Sequence, residues 1–456
     1  MESKVELVSD ATIGNSQLTT LVDLVLAEAK NQGASAAEAV ASVGQGLSVS
    51  VRLGEVETVE HNRDKDLGVT VFFGHRSGSA STSDFNESAV RDSVRAACSI
   101  AKYMAEDECV GLADADKLAK EIPDLDLYHP WNPGTEQAIG IARQCEDAAR
   151  RVDTRIENSE GATVSSHESL VVYGNSNGFL GTIPTTRHSL SCSVIAQDAK
   201  GMQRDYWYSV ARDASELEDA EQLGNKAGQR ALRRLGARKL GTRETPVIYE
   251  APVASSLLSH LASALSGTSL YRESSFLLGH LDKRIFPDHV RILEQPHLKK
   301  ALGSAPFDNE GVATIASDLV TKGVLQHYLL DSYSARKLGL QTTGNAGGLH
   351  NVMIEPGDRD LDGLLRQMDT GLLVTELIGF GVNTVTGDYS RGATGFWVDN
   401  GEIAYPVDEI TVAGNLKNMF QELVATGNDV DTRGNIRSGS VLIGNMTVAG
   451  NFNKRA

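Results

Sequence analysis

Long apolar runs are missing from this chain. No stretch approaches the roughly 18 uninterrupted apolar residues that a membrane helix requires. The best run, Gly371 to Val382, is short and holds Glu376, so no membrane helix is expected. Residues 1–20 have no basic start followed by an apolar segment, and therefore do not read as a signal peptide. Cysteine is scarce. Cys98, Cys109, Cys145 and Cys192 are scattered, with no CxxC pair, which argues against a disulfide framework and fits free thiols in a reducing cytoplasm. Positive charge is also in deficit: 43 Lys and Arg against 60 Asp and Glu leave a formal net charge of −17. A broad basic footprint for nucleic acid or an anionic membrane is thereby disfavoured. The densest basic stretches, 149–156 and 229–238, read as helix ends or surface, where cations suit the helix dipole. The eleven histidines include no HxH and no HExxH, so no pair is set to share a metal on one helical turn. His280, His289 and His297 are spread through a Pro-containing stretch and read as surface histidines. These absences together predict a soluble cytoplasmic protein.

With 456 residues, 41% of them apolar and 23% charged, the chain is globular in composition and long enough for two or three domains. Over 17–34, Leu18, Val22, Val25, Leu26 and Ala29 share one helical face, and Gly33 is a natural stop. From 36 to 82 the period falls to two, and five short strands are predicted: 37–43, 47–53, 55–61, 68–73 and 75–82. A helix over about 87–104 follows, with Asp84 as its expected cap. The Asp-, Pro- and Gly-containing stretch 105–134 reads as a linker, with Trp131 as its anchor. A second module repeats the order: helix at 135–151, strands through 154–212, helix at 214–234. No residue-level identity supports a duplication. A third region opens with a strand at 245–249 and a helix at 251–266, then becomes glycine- and β-rich, with strands at 323–330, 371–376, 395–399 and 439–449. Strands grouped apart from helices predict an α+β fold: antiparallel sheets with flanking helices and a β-rich C-terminal domain. The expected domains are 16–104, 125–235 and 243–455.

Few constellations carry chemistry. Ser390 in GDYSRG is flanked by glycines, but the pattern is not the GxSxG elbow of a serine nucleophile. Either the segment is a plain turn, or it is a loop whose Asp388, Tyr389 and Arg391 line a cleft. TTGNAGGLHN at 342–351 lacks the GK[ST] and GxGxxG signals of a nucleotide loop. Tyr271-Arg272-Glu273 could line a cleft or form a surface ion pair. Trp397 with Phe396 reads as core or interface, and Asn400-Gly401 as a hairpin turn.

Five ordered blocks are more specific: SLYRESSFLLG (269–279), PFDNEG (306–311), SYSARKLGL (332–340), TGNAGGLHN (343–351) and GDYSRGATGFWVDNGEIAYPVDEITVAGNL (387–416). From about residue 16 to 450 the chain resembles the PmbA/TldE branch of the TldD/PmbA metallopeptidase family. The resemblance implies a cytoplasmic heterodimer of two chains of one fold that degrades or trims peptides. In that family the TldD-type chain holds zinc through an HExxxH motif and a distal cysteine, its Glu serving as base. In the register of that motif this sequence has Leu258, Ser259 and Ser263, with His260 out of register. The segment matching the distal cysteine, 434–438 (GNIRS), contains none. The resemblance therefore implies no catalytic residue and no metal on this chain, zinc on a TldD-type partner, and peptide substrates. Strand addition to a sheet edge is the expected mode of binding, since main-chain hydrogen bonds accept many sequences. Candidates for the substrate groove are His350, Asp388, Tyr389, Ser390 and Arg391. The alternatives are a metal-free peptide-binding or regulatory homodimer, and a stand-alone peptidase using the loop around Ser390. The family has also been described as modulators of DNA gyrase, but no basic footprint here suggests nucleic acid contact.

Overall fold

The computed structural model describes residues 14–450. Most of the leader reading at 1–20, and the last residues of the expected third domain (451–455), lie outside them. In the first half, α1 (Asn15–Asn31), β1 (Ala36–Arg52), β2 (Glu55–Phe73), β3 (Arg76–Thr82) and α2 (Glu87–Tyr103) are followed by α3 (Gly134–Arg151), β4 (Asn158–Asn175), β5 (Leu180–Asp198), β6 (Gly201–Ala211) and α4 (Ala220–Arg233). The six strands form one sheet, ordered β3-β2-β1-β4-β5-β6. Each set of three strands thus has the same helix–strands–helix order, and the two sets join antiparallel at β1 and β4. Alternate β1 residues point to the helix-covered face. Ala37, Ala39, Ala41 and Val43 pack with α1 and α2, whereas Leu47, Val49 and Val51 pack with α3 and α4.

The five predicted strands are three. The gaps predicted at 44–46 and 62–67 both lie in an unbroken ladder from Ala36↔Phe72 to Ser50↔Thr58. Poor strand formers are carried there by main-chain bonds to neighbours on both sides of β1. Gly46 has a packing reason, since a Cβ would lie 2.5 Å from Asn62 Oδ1 and 3.0 Å from His167 Nδ1. Asp84 does not cap α2: the N-cap is Asn86, and the Asp84 carboxylate, two residues before it, accepts from the Asn86 amide. The helix read over 214–234 is a 3-10 turn at Ala214–Glu216 and then α4, whose first amides are capped by Asp219.

The second half contains β7 (Arg243–Tyr249), α5 (Ala251–Leu265), α6 (Gly267–Tyr271), β8 (Ile292–Glu294), β9 (Ser317–Thr321), β10 (Val324–Leu325), α7 (Ser332–Lys337), β11 (Val352–Ile354), α8 (Leu361–Met368), β12 (Gly371–Ile378), β13 (Asp388–Asp399), β14 (Glu402–Asn415), α9 (Leu416–Gln421), β15 (Leu423–Thr426), β16 (Ile436–Arg437) and β17 (Val441–Gly450). One sheet runs β14-β13-β12-β7-β17-β15, and β14 also pairs with β17, closing β7, β12, β13, β14 and β17 into a small barrel. Closure removes sheet edges. The pairing is not wholly antiparallel, because β7 and β12 run parallel, as do β11 and β16. The strand read over 323–330 is confined to β10. The β13–β14 turn falls on Asn400 and Gly401, both with positive φ, as its Asn-Gly sequence requires. The whole is an α+β fold.

The stretch 105–134 carries no helix or strand up to Pro133, but it is fastened rather than free. From α7, the Arg336 guanidinium donates to the carbonyls of Cys109, Gly111 and Leu112 and pairs with Asp114. Tyr333 and Lys337 both bind Asp107. Leu118 and Ala113 join Tyr173, Phe179 and Phe307 in a small apolar cluster linking the halves.

Candidate functional site

Helix α5 begins after Glu250, with Pro252 in its first turn, where a missing amide costs nothing. Leu257, Leu258, Leu261 and Leu265 are buried in the large C-terminal core. At 100° per residue, Pro252, Ser256, Ser259 and Ser263 fall along one opposite stripe. Leu258 is therefore core, and Ser259 and Ser263 are exposed. The Ser263 hydroxyl donates to the Ser259 carbonyl at 3.0 Å, an ordinary use of a helical serine. His260 lies beside this stripe, its ring set edge-on to Tyr389 at 5.9 Å. Burial, and then the Arg391 charge, lower its pKa, and its Nε2 is buried without a hydrogen-bond partner.

The segment 434–438 comes close to α5. Its strand β16 pairs with β11 and lies against α5, with Ile436 packed on the core that α5 also builds. The two places that sequence comparison assigns to metal ligands are thus neighbours in space. They offer a leucine, three serine hydroxyls, an amide and an arginine, a donor set that does not fit zinc, which takes imidazole, thiolate or carboxylate. Among the described residues no three of His, Cys, Asp and Glu are grouped as a metal would need.

Next to α5 a cleft of about 300 Å³ opens between the two halves. Edge strand β6 contributes Arg204 to Tyr208, α4 contributes Arg230, and α5 contributes Pro252, Val253 and Ser256. Thr375, Glu376 and Leu377 come from β12, Arg391 from β13, and Arg433 from the loop before β16. A hollow of about 700 Å³ adjoins it, sharing Trp207, Arg230, Pro252 and Arg433. The basic stretch 229–238, read from sequence as a helix end or surface, supplies an ion-pair network here. Arg234 binds Glu376 at 2.7 Å and Thr394 at 2.9 Å, and lies 3.6 Å from Asp205. Arg230 pairs with Asp205 and Glu250, Arg233 with Glu250, and Arg204 with Glu160 and Glu376. Arg433 pairs with Asp431 at 2.6 Å and stacks on Trp207 and Tyr208.

The candidate groove residues do not assemble in one place. The segment around Ser390 is neither loop nor turn, because Asp388 opens strand β13 and the ladder to β14 starts there. Asp388 is exposed and bonded to Thr386 and Asn415, which lower its pKa. Tyr389 is buried under α5, its hydroxyl without a partner. Ser390 faces outward on the strand. Arg391 returns to the α5 side and enters the cleft. His350 sits elsewhere, in a hollow of about 630 Å³ between the first sheet and residues 305–309 and 346–350. There its Nδ1 lies 3.2 Å from the buried Glu294 carboxylate. Arg391 is a sequence-predicted site residue, whereas Arg204, Arg230, Arg433 and Glu294 are brought in only by the fold. Only the basic run at 229–238 gave any signal for these.

Three family profiles match the chain: PmbA/TldA metallopeptidase domain 1 over 37–101, the central domain over 128–235 and the C-terminal domain over 242–450. The chain is 50% identical to the metalloprotease PmbA of Escherichia coli O157:H7, covering 94% of each chain. A Bacteroides thetaiotaomicron protein, solved as a candidate modulator of DNA gyrase, superposes with a TM-score of 0.90 at 31% identity, over 96% of this chain and 99% of that one. TldE from Thermococcus kodakarensis shares the fold, with a TM-score of 0.80 at 20% identity over 94% and 100% of the two chains.

Proposed function

Because the chain belongs to the PmbA/TldD metallopeptidase family, we propose that it is the TldE-type subunit, binding no metal itself, of a cytoplasmic two-chain peptidase. Its partner is a TldD-type chain that holds the zinc, and its substrates are peptides. One observation carries this reading. At the positions in register with HExxxH, Leu258 is buried among apolar side chains and the Ser263 hydroxyl is spent on its own helix. A hydroxyl cannot serve as a general base near neutral pH, and a single out-of-register imidazole cannot hold an ion.

When bound to the partner, zinc would supply an activated water there. This chain's residues do other work: they wall off the cleft beside α5 and set its charge. A stand-alone peptidase at Ser390 finds no support in the geometry. Ser390 has no histidine hydrogen-bonded to it among the described residues, and its amide is tied to the Gly381 carbonyl. A lasting subunit contact of this kind should bury at least about 1,000 Å² in total.

The test is cleavage of an unstructured peptide by the purified chain, alone and mixed with the TldD-type chain of the same organism, with and without chelator. Cleavage only in the mixture, abolished by chelator, is expected. Cleavage by this chain alone would overturn the assignment. A mixture that neither associates nor cleaves would favour the metal-free homodimer.

A further inference from the structure

We propose that the cleft beside α5 is a carboxylate site that takes the free C-terminal carboxylate of a peptide, with Arg391 as the receiving group. The proposal takes from the partner reading only that the ligand is a peptide.

Charge is the first argument. The chain as a whole carries −17, yet the cleft is lined by Arg204, Arg230, Arg391 and Arg433 against only Asp205 and Glu376. Arginines thus outnumber carboxylates in the lining itself, which favours an anion there.

Pairing is the second. Three of these arginines have carboxylate partners: Arg204 has Glu160 and Glu376, Arg230 has Asp205 and Glu250, and Arg433 has Asp431. No ion pair or hydrogen bond joins the Arg391 side chain to any described residue, and its Nε is buried with nothing to donate to. Thr375, 5% exposed and lining the same cleft, has a buried hydroxyl that is equally unpartnered. Buried donors left open are costly in a folded protein. A planar carboxylate in front of Arg391 would accept from the guanidinium fork in a charge-assisted contact.

The walls decide among anions. Asp205 and Glu376 stand within the lining and would repel the second charge of a phosphate. Pro252, Val253 and Leu377 offer apolar surface to the side chain that precedes a terminal carboxylate. Strand addition along β6 is hindered at this point. Its Tyr208 carbonyl is taken by Arg433 and its Tyr206 amide by the Asp205 carboxylate. Recognition in the cleft therefore rests on the end group of the peptide.

The experiment uses the full, metal-free chain and a synthetic pentapeptide ending in leucine, as the free acid and as the C-terminal amide. Binding is followed by Trp207 emission, with Trp207→Phe as the control for the signal, and by calorimetry. The acid should bind at least tenfold more tightly than the amide. Arg391→Gln should erase that difference with an unchanged circular dichroism spectrum, and Arg391→Lys should restore part of it. Equal affinity for acid and amide, no binding of either, or a preference that survives in Arg391→Gln would each overturn the proposal. Inorganic phosphate competing more strongly than the pentapeptide acid would overturn its assignment to peptides. The assay needs no partner and no zinc, so failure of the two-chain cleavage test leaves it readable.

Discussion

Alternation along β13 separates residues that look like one motif in the sequence. Tyr389 and Arg391 turn toward α5, while Asp388 and Ser390 turn to solvent. Ser390→Ala and Ser263→Ala should therefore leave cleavage by the two-chain mixture within about twofold of wild type, small for an active-site group. A hundredfold loss in either would place a working hydroxyl on this chain. A different residue governs pH response. Glu310 accepts from the Ser332 amide, and burial pushes its pKa up from 4.5 to about 7. The unfolded chain loses this proton near 4.5, but the folded chain keeps it until about 7. Burying Glu310 thus costs nothing below about pH 4.5, and the cost grows as pH rises through 7 before levelling off. Glu310→Gln should raise stability at pH 8 by about 1–3 kcal/mol and leave it nearly unchanged at pH 4.5. Urea titrations at the two pH values measure this; equal shifts at both would refute the assignment.

Packing between elements depends on positions whose role periodicity alone does not reveal. Gly224 sits inside α4, where glycine costs about 1 kcal/mol relative to alanine. A Cβ there would lie 2.0 Å from the Cys145 carbonyl of α3 and 3.0 Å from the Ala148 Cβ. The helix accepts the poor residue so that α3 and α4 can approach closely. Gly224→Ala should destabilise the protein by about 1–3 kcal/mol despite its better helix propensity, as thermal denaturation would show. A gain in stability would mean that the two helices simply move apart. At this scale the sequence is legible where one face is buried: Leu18, Val22, Val25 and Ala29 of α1 and the alternating residues of β1 lie in the core as their patterns require, although in α2 the apolar Ile100 is left 45% exposed. It is illegible where strand continuity is imposed from outside. Nothing local tells Gly44–Gly46 to stay extended, because the reason is the pairing with β2 and β4.

The halves of the molecule are joined by charge and by a strap. Arg234 is 8% exposed and faces Asp205, 3% exposed, and Glu376. Arg234→Ala leaves Asp205 with Arg230 alone and Glu376 with Arg204 alone, and should cost about 1–3 kcal/mol in urea unfolding. The strap is 105–134, held by Arg336. Arg336→Ala removes its grip on three carbonyls and Asp114 at once, and should expose the segment to limited proteolysis with new cuts near 109–114. An unchanged digestion pattern would show that Asp107 and the apolar cluster suffice.

The sequence alone determined the α+β class, the absence of long apolar runs, the family resemblance and the leucine and serines at 258, 259 and 263. All of these rest on local periodicity, on residue chemistry or on ordered blocks of identity. Tertiary structure alone decided that the first two modules share one sheet, that β7, β12, β13, β14 and β17 close into a barrel, and that Arg391 meets residues from the other half in one cleft. Sheet order and cleft lining are long-range pairings, set by which surfaces bury together, and no window of the sequence contains both partners.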